Sequence, residues 1–115
     1  MPEFTTQTLI KALNNQPVEF NNVMQLIDFE YEFIPTAFLN GSLLNEADTN
    51  NGSCKIFSFA KMHDLSEQAT LNAFGDYYTV DVLKHPDKED HQNIRQFMKN
   101  GWLGIEFKGQ ALNKK

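Results

Sequence analysis

The dipeptide Asn40-Gly41 stands between Phe38-Leu39 and Leu43-Leu44, and no other stretch limits the fold so strongly. Asn-Gly accepts the positive φ angles of a two-residue turn, so the segment predicts a β-hairpin. A lone hairpin is marginal in water and needs a third strand or a helix against it. Both kinds of support are written nearby. Tyr31-Glu32-Phe33-Ile34 reads as a strand that Pro35 ends or confines to an edge. Leu103-Gly104-Ile105-Glu106-Phe107 places Ile105 and Phe107 on one face of another strand. The expected sheet is antiparallel, has about three strands and joins Tyr31–Ile34, the hairpin and Leu103–Phe107.

The remaining apolar residues recur at helical spacing. Leu9, Ile10 and Leu13 share one side of a short first helix. A second begins with Pro17 at its first position and carries Phe20, Val23, Met24 and Ile27. After a polar loop from Asn45 to Gly52, Ser53 reads as the N-cap of a helix with Ile56, Phe57, Ala60 and His63. Ser66 caps the next, with Glu67 in its first turn and Gly75 as its stop. Asp76 to Leu83 mixes strand formers with helical spacing and is read as a short helix. His85 to Asp90 is a polar loop, and Asp90 caps a helix carrying Ile94, Phe97 and Met98 up to Gly101. The fold class is α+β, helices packed on a small sheet. No repeat or Pro/Ser/Gly linker divides the 115 residues, so one domain over 1–115 is expected.

Charge and composition narrow the function. Fifteen acidic against ten basic side chains leave −5 at neutral pH, and the one basic pair is Lys114-Lys115, so no surface tracks phosphates and nucleic acid is excluded as a partner. The N-terminal stretch lacks the basic and long apolar regions of a secretory signal, and no apolar run is long enough to cross a bilayer. With a single cysteine the chain has no internal disulfide, which fits a reducing cytoplasm. The expectation is a cytoplasmic protein with no membrane partner.

Cys54 raises the one sharp catalytic idea. Gly52-Ser53-Cys54-x-x-Phe57-Ser58 resembles the string that opens the nucleophile helix of papain-like peptidases, and a helix N-terminus lowers a thiol's pKa. His91, with Asn93 or Asp90 orienting it, is the natural base. Papain-like enzymes place that histidine about 130 residues or more downstream, and fewer follow Cys54 in this sequence. The competing reading makes Cys54 a small buried residue in a first helical turn. His85, Asp87, Asp90 and His91 offer imidazole and carboxylate for a metal, but no two histidines stand at i, i+4, so no metal and no cofactor is expected.

A polar segment is the better recognition candidate. Asn45, Glu46, Asn50, Asn51, Ser53 and Lys55 gather at a predicted helix N-terminus, whose amides favour an anion or carboxylate. The alternative is that these side chains hydrogen-bond their own loop, since Asn is a turn former. Trp102, Tyr77 and Tyr78 are candidates for pocket walls or core.

From Phe33 to Leu112 the chain carries a series of blocks: Pro35-Thr36-x-Phe38-x-Asn40-Gly41, Asn45-Glu46-Ala47, Asn50-Asn51-Gly52-Ser53-Cys54-Lys55, Phe59-Ala60-Lys61, Leu65-Ser66, Phe74-Gly75-Asp76-Tyr77-Tyr78, Asp81-Val82-Leu83, and Asp90-His91-Gln92-Asn93-Ile94-Arg95-x-Phe97-Met98 with Gly101-Trp102-x-Gly104-Ile105-x-Phe107. In this order they resemble the HopJ family, small bacterial proteins named for a plant-pathogen type III effector. The resemblance implies no catalytic activity, and the name implies a possible effector role. Type III signals occupy extended, Ser/Thr-rich N-termini, whereas helical periodicity here starts near Leu9, which favours a resident cytoplasmic protein. The resulting expectation is a non-catalytic binding or regulatory module for a protein or small molecule. The alternative is a small cysteine hydrolase using Cys54 and His91.

Overall fold

The computed structural model describes residues 2–115. Among the described residues five α-helices surround two small antiparallel sheets, an α+β architecture. In chain order they are α1 (Thr6–Leu13), α2 (Phe20–Glu30), β1 (Tyr31–Phe33), β2 (Phe38–Asn40), β3 (Leu43–Asn45), α3 (Asn51–Met62), α4 (Glu67–Asn72), α5 (Gln92–Asn100), β4 (Ile105–Phe107) and β5 (Leu112–Lys114). A π-helical turn spans Tyr77–Val82, and a 3-10 turn spans Gly101–Gly104.

Local chemistry explains most boundaries. Thr5 and Thr8 form a reciprocal capping box that starts α1 and turns Leu9 and Leu13 into the core. α2 starts at Phe20, three residues later than Pro17 predicts. The reason is that the Val18 amide donates to Asn72 O at 3.0 Å, holding the connector extended against α4. Asn72 also donates its side-chain amide to Leu13 O at 2.8 Å, so one buried side chain ties the end of α1 to α4. Ser66 caps α4 as expected, accepting from the Ala69 amide at 3.0 Å. Gly75 takes φ 57°, and a Cβ there would stand 2.8 Å from Val18 O, so only glycine fits beneath the connector.

The hairpin forms, with its turn one residue further on. Asn40 pairs with Leu43, so Gly41-Ser42 makes the turn and Asn40 belongs to β2. Gly41, at φ 64°, supplies the positive first position of a type II′ turn. β4 pairs with β2, Phe38 opposite Phe107, giving the sheet order β3-β2-β4. Tyr31–Ile34 does not join that sheet. β1 pairs instead with β5, Phe33 opposite Leu112, as a separate ribbon. Leu112 is fully buried beside Ala111, and two adjacent apolar residues among polar neighbours are too short a pattern to announce a strand.

The core is centred on Phe57 of α3. Its ring meets Phe38 at 5.9 Å, Phe74 at 5.6 Å, Phe97 at 5.0 Å and Trp102 at 6.4 Å between centroids. These tilted and edge-on contacts suit aromatic quadrupoles and join the sheet, the segment after α4, and α5 around α3. Tyr78 is buried in the core, and Trp102 packs against that core partly buried, its Nε1 donating to Leu65 O at 3.0 Å. No helix among the described residues is long and apolar enough to cross a membrane.

Candidate functional site

The N-terminus of α3 begins three residues before the place Ser53 predicts. Asn50 is the N-cap and Ser53 lies in the first turn. Likewise His91, not Asp90, caps α5, because the Asp90 carboxylate is drawn to Arg95 at 2.7 Å. That bond, with the Arg95 guanidinium behind it, pulls the Asp90 pKa below the ordinary carboxylate value.

The two helix starts meet at one cavity of about 410 Å³. Asn50, Gly52 and Ser53 reach it from α3, and His91, Gln92 and Asn93 from α5. Phe20, Phe74 and Tyr77 form aromatic walls. Neither helix has a side-chain cap or an acidic residue in its first turn. The first ladder bond of α3 runs from the Cys54 amide to Asn50 O, and the first bonds of α5 run from the Ile94 and Arg95 amides to His91 O. The amides of Gly52, Ser53, Gln92 and Asn93 therefore stand outside both ladders, at the positive ends of two helix dipoles.

His91 is held tightly at this mouth. Its backbone is left-handed, φ 51° and ψ 48°, a conformation that costs a side-chain-bearing residue energy. Nε2 lies 3.0 Å from Asp81 Oδ2, and because a carboxylate only accepts, the proton sits on Nε2 and donates. The ring lies 5.2 Å from that of Tyr77, which in turn meets Phe20 edge-on at 5.1 Å. Asp81 has no sequence signal of its own. It reaches His91 only because the π-helical turn carries it there.

The other sequence candidates divide. Asn45 and Asn93 are buried, and with Asn40 and Asn50 they form a side-chain network: Asn40 Nδ2 donates to Asn93 Oδ1 at 3.1 Å and to Asn93 O at 2.8 Å, and Asn50 Nδ2 donates to Asn45 Oδ1 at 2.6 Å. Asn51 donates to Asp48 Oδ1 at 2.8 Å within its own turn, and Glu46 accepts through its carbonyl from the Thr49 hydroxyl at 2.6 Å. Lys55 pairs with Asp28 at 2.7 Å and lies over the Phe33 ring, off the cavity. Of the recognition set, Asn50 and Ser53 line the cavity.

Cys54 does not reach it. The thiol is 2% exposed and donates to Thr36 O at 3.4 Å. Burial pushes its pKa up from the ordinary value, with the Thr36 carbonyl bond and Ser58 opposing more weakly. Asn93, engaged by Asn40 and Asn45, does not orient His91; Asp81 does. His85 contributes its carbonyl to Arg95 at 3.0 Å. Among the described residues no three His, Cys, Asp or Glu side chains converge as a metal site would require.

The family model described as HopJ type III effector protein matches residues 6–112. No curated protein matches the chain. The crystal structure of an "unknown function protein VPA0580" is similar at a TM-score of 0.92 and 49% identity, covering 95% of this chain and 92% of the other.

Proposed function

The chain belongs to the HopJ family, and on that premise we propose that it is a non-catalytic binding module whose ligand seats in the cavity between the α3 and α5 N-termini. One observation carries this reading: Asn50 and Ser53, chosen from one part of the sequence, line the same cavity as His91 and Asn93 from another. The ligand that fits is a small molecule. Its apolar body lies on Phe20, Phe74 and Tyr77, and its anionic or hydrogen-bond-accepting end meets the amides outside the ladders. In the same reading the protein works in the cytoplasm, and export through a type III system is the role its family name carries.

The alternative, a Cys54–His91 hydrolase, needs an accessible thiolate beside the imidazole. A buried thiol bonded to Thr36, with its acidity weakened, argues against it. Amide NMR shifts during titration with inorganic phosphate, acetate and benzoate test the proposal. Saturable shifts at Gly52, Ser53, Gln92 and Asn93 are expected, largest with benzoate because of the aromatic walls. Absence of saturable shifts at these four amides with all three probes overturns it.

A further inference from the structure

Away from this cavity, a groove of about 510 Å³ runs between Val82–Leu83 at the end of the π-helical turn, the loop at Pro86 and Lys88, and α5. Its apolar surface is open: Leu83 is 47% exposed and Met98 46%. Its charged lining is Lys88, Arg95 and Lys99 with no Asp or Glu, although acidic residues outnumber basic ones fifteen to ten in the chain. Asp87 and Glu89 flank Lys88 in sequence, but neither lines the groove.

Arg95 is already committed. Its guanidinium pairs with Asp90 at 2.7 Å and donates to the carbonyls of Asp90 at 2.6 Å, His85 at 3.0 Å and Pro86 at 3.2 Å. These bonds fasten the loop to α5, so the groove is formed in advance and little ordering entropy is lost on docking. Lys88 and Lys99 form no ion pair among the described residues. Lys99 also lines a neighbouring depression with Leu103, which is wholly exposed, so apolar surface continues beyond it. Exposed Leu and Met are unremarkable singly. Here they share one depression with two cations that stand outside any ion pair among the described residues.

We infer that this groove docks an acidic amphipathic segment of a partner protein, with apolar side chains on Leu83 and Met98 and carboxylates on Lys88 and Lys99. Charge complementarity selects that occupant. A second copy would bring a net −5 against another −5. Two free lysines on an acidic chain are too few to hold an anionic membrane, where each basic residue contributes roughly 1 kcal/mol. The inference goes beyond the cavity reading and is independent of it.

Selection from a display library of random short peptides on the full chain, followed by fluorescence anisotropy of an enriched peptide, tests it. Enriched peptides are expected to carry Leu, Ile or Phe flanked by Asp or Glu. Lys88→Glu/Lys99→Glu and Leu83→Ser/Met98→Ser should each weaken binding by roughly tenfold or more, without lowering the melting temperature by more than a few degrees. Exchanging the peptide's acids for lysines should restore affinity to the charge-reversed protein, and Ser53→Ala at the cavity should leave peptide affinity unchanged. No enrichment, enriched peptides without acids, or affinity indifferent to both double variants overturns the inference. So does a dimer in sedimentation that Leu83→Ser/Met98→Ser disperses, or binding to phosphatidylserine vesicles that those substitutions abolish.

Discussion

Asn45 and Asn93 exchange two side-chain hydrogen bonds: Asn45 Nδ2 donates to Asn93 Oδ1 at 2.9 Å, and Asn93 Nδ2 donates to Asn45 Oδ1 at 2.8 Å. The pair locks the end of β3 to the first turn of α5. Asn40 joins it from β2 and Asn50 from the cap of α3. Both helix starts of the cavity are therefore held by one amide cluster, buried at Asn40, Asn45 and Asn93 and reaching the surface at Asn50. Replacing Asn93 with Ala leaves the Asn45 amide and one Asn40 donor buried without that partner, and each orphaned group costs about 1–3 kcal/mol. The expected loss for Asn93→Ala is about 3 kcal/mol in urea denaturation. A loss under about 1 kcal/mol would mean that water reaches the cluster and replaces the missing bonds.

Cys54 tests the catalytic alternative directly. Cys54→Ser should cost about 1 kcal/mol, since a hydroxyl replaces a small apolar sulfur in a packed position. Iodoacetamide should label the folded protein slowly near neutral pH and the urea-unfolded chain much faster. The linkage has a definite sign. Burial holds the folded thiol above its ordinary value of 9.0, so its contribution to stability is complete below that value and is lost as pH rises through the folded one. Labelling that is faster in the folded protein, and slowed by His91→Ala, would restore the hydrolase reading.

Acid sensitivity should come in part from His63. Its Nε2 lies 2.8 Å from Tyr31 Oη and its ring 4.7 Å from that of Phe59. Burial pushes its pKa below 6.5, the Lys114 charge adds to that, and Asp64 opposes it. The unfolded chain thus takes up the proton first. Stability from this group is complete above pH 6.5 and is lost as pH falls through the lower folded value. His63→Gln keeps a hydrogen-bonding tip without the titration. Urea midpoints for the two proteins should run parallel above 6.5 and diverge below it, the wild type falling faster. Parallel curves down to pH 5 would assign acid sensitivity elsewhere.

Much of this architecture is legible because it follows local rules. Periodicity finds α1, α2, α3 and α5, the Asn-Gly pattern finds the hairpin, and Ser66 marks α4. The helical choice for Asp76–Leu83 survives strong strand propensity because its residues close i→i+5 bonds, Leu83 N to Tyr78 O at 3.0 Å. What escapes is set by partners distant in sequence. Pro17 is a sound helix start until Asn72 takes the Val18 amide. The buried asparagines look like turn formers because nothing local reveals that Asn45 meets Asn93. The cavity is illegible for the same reason: its polar half comes from two helix starts that only the tertiary fold unites, and Asp81 enters only through the π-helical turn.

His91 offers the sharpest separation of strain from contact. Left-handed backbone costs a residue with a Cβ about 1–2 kcal/mol, and glycine is free of that cost. His91→Ala keeps the strain and loses both the Asp81 bond and the Tyr77 ring contact. His91→Gly loses the same contacts but relieves the strain. Comparing the two isolates the backbone contribution: His91→Gly should be more stable than His91→Ala by about 1 kcal/mol in urea denaturation. Against wild type, His91→Ala should lose about 1–2 kcal/mol, while His91→Gly stays within about 1 kcal/mol because relief offsets the lost contacts. Both should weaken the benzoate-induced shifts at Ser53 and Gln92, since the cavity loses the ring at its mouth. Equal stabilities for the two variants would mean that residue 91 leaves the left-handed region once the imidazole is gone, making the Asp81 bond the cause of the backbone conformation.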